Sequence, residues 1–412
     1  MGSISAHVEA MGNGPLTEEG LRRHVHPLFS RVLNRCEIYL SNHSLGRPLD
    51  QTAADIAEFA SLWADTMDDA WGPWMDEITR FRTSIARLLT LPRHDCVTPR
   101  VSAGQGLRAV LNALPMQRPV IVATRGEFDS MDFILKTYAH RGRAEVHWVE
   151  PDRAAADQPP IQSADRVIQT IRSLPRVDLV LVSHVYYATG QVLDGVERVI
   201  EEAHARGGLA VLDTYHSLGV IAVDLPRLNA DFAIGGCYKY LRGGPGGGFL
   251  AVHPRHLRDD GSESPLRTLD TGWFAKRDTF GFQRPDEPLL APGGDAWMEA
   301  TPSPLLAYQC RAGLEFVQAM GVSRLREYSL KQISQLSSEL EQRGVHVRRP
   351  AQAGAFVLVP HANAPGAVDA LKAAGVSADA RLGFVRLCPD VLNTTEELSR
   401  AADIVARVWK SQ

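Results

Sequence analysis

Short apolar runs alternate with amphipathic stretches through the middle of the chain. Runs rich in Val, Ile and Leu predict strands at 119–124, 144–150, 177–185, 208–213, 231–236 and 248–254. Between them, apolar residues at helical spacing predict helices at 130–140, 163–174 and 195–207. Because the runs lack polar alternation, we expect strands buried on both faces, as in a mostly parallel sheet covered by helices. The pattern predicts a doubly wound α/β fold.

The pattern changes after the Gly- and Pro-containing stretch at 292–304. Two long helical stretches follow, from about 305 and at 323–343, and then the strand-like runs VHVRRP (345–350) and AFVLVP (355–360). A chain of 412 residues is also too long for one compact core. We therefore predict three parts: an N-terminal segment lying across both domains, a large cofactor-binding domain and a small α+β C-terminal domain, at 1–45, 46–300 and 301–412.

Composition and charge narrow the class of partner. The 44 basic and 48 acidic residues give a formal net charge of −4, so the overall charge does not favour binding to nucleic acid or to an anionic membrane. No apolar run is long enough to cross a bilayer, and MGSISAHVEAMGNG lacks the apolar core of a signal peptide. The five cysteines lie far apart without a CxxC pair, and His24 and His26 have no companions, so no metal site is expected. We expect a cytoplasmic protein that acts on a small molecule.

An aspartate and a lysine follow two neighbouring predicted strands. Asp213 ends the run at 208–213, and Lys239 follows the run at 231–236 and precedes the glycines of GGPGGG. Either residue alone is most simply a turn residue or a solvated surface lysine. Together they match the needs of an aldehyde cofactor, pyridoxal 5′-phosphate (PLP), which takes a lysine for its Schiff base and an acid for its ring nitrogen. The glycines are expected to let the backbone bend closely past the cofactor.

Two further segments match this cofactor. In VSAGQGLRAVL, Ser102 precedes a helical pattern, and a helix N-terminus with a hydroxyl suits a phosphate group, although a plain N-cap is an equally simple role for this serine. Phe128 follows the strand at 119–124, where an aromatic ring could stack on the cofactor.

Five segments resemble, in order, the signatures of kynureninase, in the class V group of fold-type I PLP enzymes. The resemblance extends from about residue 38 to 390 and is carried by YLSNHSLGRP, SHVYYATGQ, DTYH, YKYLRGGPGGG and TGWF. It implies the PLP-dependent transferase fold. It also implies that Lys239 forms the Schiff base, Asp213 pairs with the pyridinium nitrogen beside His216, and Tyr238 binds the phosphate and can act as an acid. The remaining cofactor-site residues that it implies are Val101, Ser102, Phe128, Ser130 and Ser183.

The same resemblance implies how substrate is held and how subunits assemble. Arg386 is similar to an arginine that clamps the substrate α-carboxylate, which suits its planar fork. His43 and Ser44 fall at the expected substrate site. Trp273 resembles a tryptophan that reaches the cofactor of the neighbouring subunit, and Thr301 stands at a pocket position, so a homodimer with shared sites is expected.

Three positions depart from the family pattern. His43 stands where an asparagine is usual, Met131 replaces the aspartate of an FPSD segment, and Thr301 replaces a pocket asparagine that contacts the aromatic part of the substrate. These positions touch cofactor and substrate, so they bear on the substrate and not on the cofactor.

Two enzyme hypotheses follow. In the first, a kynureninase-type hydrolase uses Lys239 to remove the Cα proton, water adds to the γ-carbonyl, and Tyr238 protonates Cβ after Cβ–Cγ cleavage. The products from L-kynurenine or 3-hydroxykynurenine would be alanine and an anthranilate. Trp71 and Trp74 are as well suited to packing as to a substrate pocket. In the second, the chain is a class V aminotransferase or a C–S or Cβ lyase for another amino acid; a cysteine desulfurase is less favoured because no cysteine lies in an evident mobile loop near the site.

A third hypothesis, a nucleotide-binding module, fits poorly. Its glycine loop should open a helix, whereas here the glycines precede the predicted strand at 248–254.

Overall fold

The computed structural model describes residues 3–35, 37–152, 158–259, 264 and 266–410. Cys36 lies outside these residues. The other four cysteines are free and buried.

A seven-stranded sheet organises the larger part of the described chain. The strands follow the order β2-β8-β7-β6-β5-β3-β4, with β7, β6, β5, β3 and β4 mutually parallel and β8 and β2 antiparallel to their neighbours. Each of the six apolar runs predicted as strands between 119 and 254 contains one of them, and the mostly parallel α/β class is confirmed. Their bounds are β2 Val97–Arg100, β3 Val120–Thr124, β4 Glu145–Val149, β5 Leu179–Ser183, β6 Leu209–Asp213, β7 Phe232–Gly236 and β8 Gly248–Val252.

The helices that cover this sheet are amphipathic and pack through an apolar stripe. The helix at Val196–Ala205 shows the principle, since its buried residues Val196, Val199, Ile200 and Ala203 recur at helical spacing on one face. The first eleven α-helices are α1 Ile4–Glu9, α2 Glu18–Gly20, α3 Ser30–Leu33, α4 Gln51–Thr66, α5 Trp71–Leu88, α6 Ala103–Leu111, α7 Asp129–His140, α8 Ala164–Ser173, α9 Val196–Ala205, α10 Leu225–Leu228 and α11 Pro304–Met320. A π-helix spans Leu21–Val25, and 3₁₀ turns lie at His26–Phe29, Met67–Ala70, His94–Cys96, Pro254–His256, Trp273–Ala275, Thr279–Gly281 and Gly293–Trp297.

The C-terminal part builds a second apolar core around a three-stranded antiparallel sheet in the order β11-β12-β9. Its strands are β9 Val357–Pro360, β11 Asp379–Arg381 and β12 Phe384–Leu387, and a separate parallel pair joins β1 Ile38–Tyr39 to β10 Val376–Ser377. Its helices are α12 Val322–Gln342, α13 Ala364–Ala373 and α14 Thr395–Lys410.

The N-terminal segment contributes to both cores. Ile4 and Val8 lie in the larger cluster, whereas Ile38 and Leu40 lie in the C-terminal one. Helix α11, which the predicted boundary at 300 assigns to the small domain, buries its apolar side chains in the larger cluster. The three-part division of the chain stays a prediction.

The strand predicted at 345–350 is wrong. Arg348 makes only an isolated bridge to Leu358, and no ladder extends from it. Pro350 has no N–H to donate, so the segment cannot continue pairing along β9.

No helix in the described ranges combines the length and the apolar content that crossing a bilayer requires.

The larger core depends on an aromatic contact between the N-terminal segment and α11. Phe29 and Phe316 are fully buried, with ring centroids 5.3 Å apart in an edge-to-face arrangement. We expect Phe316→Ala to lower the free energy of unfolding by about 3–5 kcal/mol, because it leaves a cavity and removes this contact. Urea unfolding measures the change. Leu330→Ala, at an exposed position of α12, is the control and should stay within about 0.5 kcal/mol of the parent; equal losses in the two variants would contradict the expectation.

Candidate active site

The carboxyl ends of the parallel strands meet at one edge of the sheet, and a cavity of about 130 Å³ opens there. Ser183 and Asp213 end β5 and β6 and are paired in register, and Lys239 follows the end of β7. Ligands of open α/β sheets bind at this edge. The cavity is lined by Ser102, Ala103, Gly104, Phe128, Ser130, Met131, Ser183, Val185, Tyr187, Asp213, Tyr215, His216, Tyr238 and Lys239.

Asp213 presents a buried carboxyl group to this cavity. It is 5% exposed, and the backbone N–H of Tyr215 donates to its Oδ1 at 2.8 Å. Burial raises the pKa of Asp213, while this hydrogen bond and the Lys239 amine oppose the rise. A cation placed in the cavity would stabilise the charged carboxylate, as a protonated ring nitrogen does.

Lys239 lies opposite, with its amine among aromatic rings. Its Nζ is 2.6 Å from His216 Nε2 and 4.4 Å from the centroid of the Tyr215 ring. Burial lowers the pKa of Lys239 to about 7, although Asp213 favours the charged form. Burial, together with the nearby Lys239, holds the pKa of His216 well below its usual value, so the neutral imidazole accepts from the amine. A substantial neutral fraction suits an amine that must attack an aldehyde and then move protons.

The first turn of α6 forms the end of the cavity suited to phosphate. Ser102 caps the helix, its Oγ accepting from the Gln105 N–H at 3.2 Å, and Ala103 and Gly104 line the cavity beside it. The hydroxyl and the free N–H groups of the first turn are the donors that phosphate prefers. Val101 is 61% exposed and does not line the cavity.

Two aromatic residues and a methionine complete the wall next to α7. The Phe128 ring meets Tyr187 edge to face at 5.1 Å, and its centroid lies 5.4 Å from Lys239 Nζ. Met131, at the position of the family's aspartate, is buried and lines the cavity beside Ser130. The wall is therefore apolar at Met131, where the family pattern has a carboxylate.

Two glycines near Lys239 are required by packing. A Cβ on Gly243 or Gly247 would lie 2.6 Å from Cys310 Sγ, so these glycines let the loop pack on α11. The close approach of this loop to the cofactor stays a prediction. A Cβ on Gly236 would instead lie 2.1 Å from the hydroxyl of Tyr215, so this glycine makes room for the ring below Lys239.

Tyr238 and Tyr215 pack against each other beside the lysine, with their ring planes tilted by 52°. Their ring centroids are 5.0 Å apart, and both side chains line the cavity. Burial raises the pKa of both hydroxyls, so each carries its proton at neutral pH and can donate it. Tyr215 was not singled out from the sequence, although its place between Asp213 and His216 was a local signal for it.

Glu127 is a buried carboxyl group that sequence reasoning missed. It is 3% exposed; Ser183 Oγ lies 2.6 Å from its Oε2, and Thr124 Oγ1 lies 2.6 Å from its Oε1. Burial, with a contribution from the charge of Asp213, raises the pKa of Glu127 to about 8. The side chain is therefore mostly neutral at pH 7. It does not line the cavity itself and contacts it through Ser183.

Arg386, His43 and Ser44 lie together but do not line the cavity. All three contact Asp379, and Arg386 also donates to the backbone oxygen of Tyr187, which does line it. His43 is fully buried.

Trp273 and Thr301 form a separate pair outside the cavity. The indole Nε1–H of Trp273 donates to Thr301 Oγ1 at 3.0 Å. Trp273 also contacts Phe280 at 5.7 Å, and Phe280 contacts Trp71 at 6.5 Å. Trp74 packs in a small cluster with Ala70, Tyr308 and Phe59, which supports its packing role.

The residues around Lys239 fit PLP in their chemistry. Among the described residues, His216 Nδ1 is buried without a hydrogen-bond partner, and Asp213 has no neighbouring cation other than Lys239 within its cavity. An amine, an anion and a helix N-terminus are thus arranged around one enclosed space, as the aldehyde, ring nitrogen and phosphate of this cofactor require.

Residues 65–358 match the family described as Aminotransferase class-V. This chain belongs to that family. The kynureninase of Bacillus anthracis is 29% identical over 91% of this chain and 89% of its own length. The kynureninase of Deinococcus radiodurans is 32% identical over 71% of this chain and 68% of its own length. The apo structure of a cysteine desulfurase from Thermococcus onnurineus has a TM-score of 0.77 at 17% identity, covering 91% of this chain and 95% of that chain.

These similarities confirm a kynureninase-like member of the class V group with fold type I, and they confirm PLP as its cofactor. The desulfurase likeness concerns the fold.

The raised pKa of Glu127 leads to a pH-dependent stability. An acid whose pKa rises from about 4.3 when unfolded to about 8 when folded takes up a proton on folding. The loss of stability caused by the buried carboxylate therefore grows as pH rises from about 4.3 to about 8, and it is fully present above pH 8. We expect Glu127→Gln, which keeps the acceptor oxygen, to be more stable than the parent by on the order of a few kcal/mol near pH 8 and to lose this advantage near pH 5.

Thermal unfolding at the two pH values measures this difference. Glu341→Gln, at an exposed position of α12, is the control and should track the parent at both. A stability difference for Glu127→Gln that does not change with pH would contradict the assignment.

Proposed function

We propose that this class V enzyme is a PLP-dependent hydrolase of the kynureninase type. It would cleave the Cβ–Cγ bond of L-kynurenine, 3-hydroxykynurenine or a related aryl-keto amino acid to give alanine and an anthranilate. The observation that carries the proposal is the single cavity that holds the Lys239 amine and the Asp213 carboxyl group beside Tyr238. The kynureninase relatives over about nine-tenths of the chain support the substrate class.

Bound PLP supplies an electron sink for the bonds that break in the substrate. Asp213 keeps the proton on the ring nitrogen by charge attraction. Lys239, with its lowered pKa, accepts the proton from the substrate Cα. Tyr238 carries its proton at neutral pH and supplies it at Cβ when the bond to Cγ breaks.

Substrate recognition in this proposal uses Arg386 for the α-carboxylate. We also propose a homodimer in which Trp273 and Thr301 reach the site of the neighbouring subunit. The position of this pair outside the cavity of its own chain, beside the exposed Phe280 and Phe282, supports an action across subunits.

The alternative reaction remains transamination or C–S or Cβ cleavage of another amino acid, with the same lysine and aspartate. A desulfurase mechanism needs an accessible cysteine near the site. The described cysteines Cys96, Cys237, Cys310 and Cys388 are each fully buried, which argues against that reaction.

Hydride reduction tests the covalent role of Lys239. We expect borohydride treatment of the holoenzyme to fix the mass of the reduced cofactor on the peptide containing CYKYLR, because the amine is the reacting group. Lys239→Ala should bind no cofactor covalently, whereas Lys331→Ala, at an exposed position of α12, should be labelled like the parent. Mass spectrometry of the digested protein gives the result, and labelling of Lys239→Ala at another lysine would refute the role.

A substrate screen tests the reaction. With L-kynurenine or 3-hydroxykynurenine we expect stoichiometric alanine and the corresponding anthranilate, measured by chromatography. Tyr238→Phe should reduce kcat by about 100-fold or more while cofactor labelling persists, because the acid is lost and Lys239 still holds the cofactor. Keto-acid formation from other amino acids without any anthranilate would favour the aminotransferase alternative instead.

A further inference from the structure

Arg386 is held in place by a neighbouring strand. It is 2% exposed on β12, directly opposite Asp379 on β11 in the antiparallel register. Asp379 takes the side of the guanidinium, with Arg386 Nε donating to Oδ1 at 2.7 Å and Nη2 donating to Oδ2. The third bond runs from Nη1 to the backbone oxygen of Tyr187. Paired donors of this kind fix the plane as well as the position of an arginine.

Asp379 is fixed in turn by the N-terminal segment. His43 Nε2 lies 2.8 Å from Oδ1, and Ser44 Oγ donates to Oδ2 at 2.5 Å. The His43 ring packs against Phe356 at a tilt of 37°, with centroids 4.8 Å apart, and has no solvent exposure. The carboxylate therefore accepts hydrogen bonds from three side chains that belong to two separate parts of the chain, the N-terminal segment and β12.

At neutral pH the His43 ring is uncharged and the Asp379 carboxyl group is ionised. Burial, reinforced by the charge of Arg386, lowers the pKa of His43 to about 4, so its ring is neutral at pH 7 and Nε2–H is the donor to Asp379. Burial opposes ionisation of Asp379, but the hydrogen bonds from His43 and Arg386 hold the pKa of its carboxyl group far below the usual range. Arg386 and Asp379 thus form a partly buried ion pair supported by two neutral donors, one of which is the histidine that replaces the family's asparagine.

Two donors of Arg386 remain for a ligand. A guanidinium carries five N–H bonds, and the bonds to Asp379 and Tyr187 use three of them. One N–H is left on each of Nη1 and Nη2, on a side chain whose third partner, Tyr187, lines the cavity. Two N–H groups on one plane match a carboxylate.

We propose that Asp379 is a positioning residue that aims Arg386 at the α-carboxylate of the substrate, with His43 and Ser44 acting through Asp379. This inference rests on the proposed function only in requiring an α-amino acid substrate. It changes the role expected for His43 and Ser44, which would orient the arginine through their hydrogen bonds to Asp379 and would not contact the substrate. It also supplies a reason for Asp379, since a buried arginine without a partner is strongly unfavourable while the site is empty of substrate.

The test compares a ligand that has the carboxylate with one that lacks it. The purified holoenzyme is titrated with L-alanine and with ethylamine, and the dissociation constants are measured by calorimetry. For Asp379→Asn we expect binding of L-alanine to weaken about 10-fold or more, in line with the loss of supporting partners at other preorganised sites, while binding of ethylamine stays unchanged. Equal weakening of both ligands, or tighter binding of L-alanine, would overturn the proposal.

A double-variant cycle separates positioning from a general structural effect. If Asp379 acts through Arg386, adding Asp379→Asn to Arg386→Met should weaken L-alanine binding no further. Additional weakening in the double variant would overturn the proposal.

Two milder variants keep the test decisive if Asp379→Asn does not fold. Ser44→Ala removes one hydrogen bond to Asp379, and His43→Asn restores the family residue. Ser44→Ala should show the same selective loss for L-alanine with a smaller magnitude, and a rise in KM with kcat within a few-fold on whichever amino acid is turned over. Unselective weakening by Ser44→Ala would refute the role.

The two proposals fail separately. Selective loss of L-alanine binding without turnover of kynurenine would reject the hydrolase and keep Asp379 as the positioning residue. Turnover of kynurenine, together with variants that weaken L-alanine and ethylamine binding equally, would keep the hydrolase and reject Asp379 as the positioning residue.

Discussion

The site depends on burying an amine and a carboxyl group in one cavity without neutralising either completely. Parallel strands make this possible, because their carboxyl ends open at the same edge and place Asp213 and Ser183 side by side. Burial then lowers the pKa of Lys239 to about 7 and raises the pKa of Asp213. Burial causes both shifts. A cofactor that bonds covalently to the amine and places a cation beside the carboxyl group would stabilise both groups.

A second buried ion network joins the lysine loop to the rest of the protein. Asp390 accepts from Arg47, in the segment after β1, and from Arg242, three residues after Lys239. Although burial opposes ionisation, these two arginines lower the pKa of Asp390 to about 2. Arg242 also adopts a φ of +57°, a conformation that a non-glycine residue holds only when its surroundings enforce it. The loop that carries Lys239 is thus restrained by the ion pair between Arg242 and Asp390 and, through Asp390, by Arg47.

Sequence reasoning recovered the parts of the site that lie within short segments. Lys239, Asp213, Ser102 and Phe128 were each identified because a strand end or helix start precedes or follows them, whereas His216 was identified from the family resemblance. Asp379 and Glu127 were missed because no local pattern distinguishes them from surface acids. Their roles come from contacts between residues far apart, such as His43 with Asp379 and Glu127 with Ser183. The strand predicted at 345–350 failed for a related reason: an apolar run becomes a strand only where a partner backbone can pair with it.

The sequence by itself determined the class of fold and the cofactor, and it predicted which amine and which acid hold that cofactor. Runs of Val, Ile and Leu specify buried strands through local periodicity, and an amine and a carboxyl group carry their chemistry wherever they are placed. Only the tertiary structure decided that Gly243 and Gly247 pack on Cys310, that Met131 lines the cavity, and that His43 and Arg386 share the Asp379 carboxylate. These outcomes depend on strand register and on packing between distant segments, which determine distances that no local pattern contains.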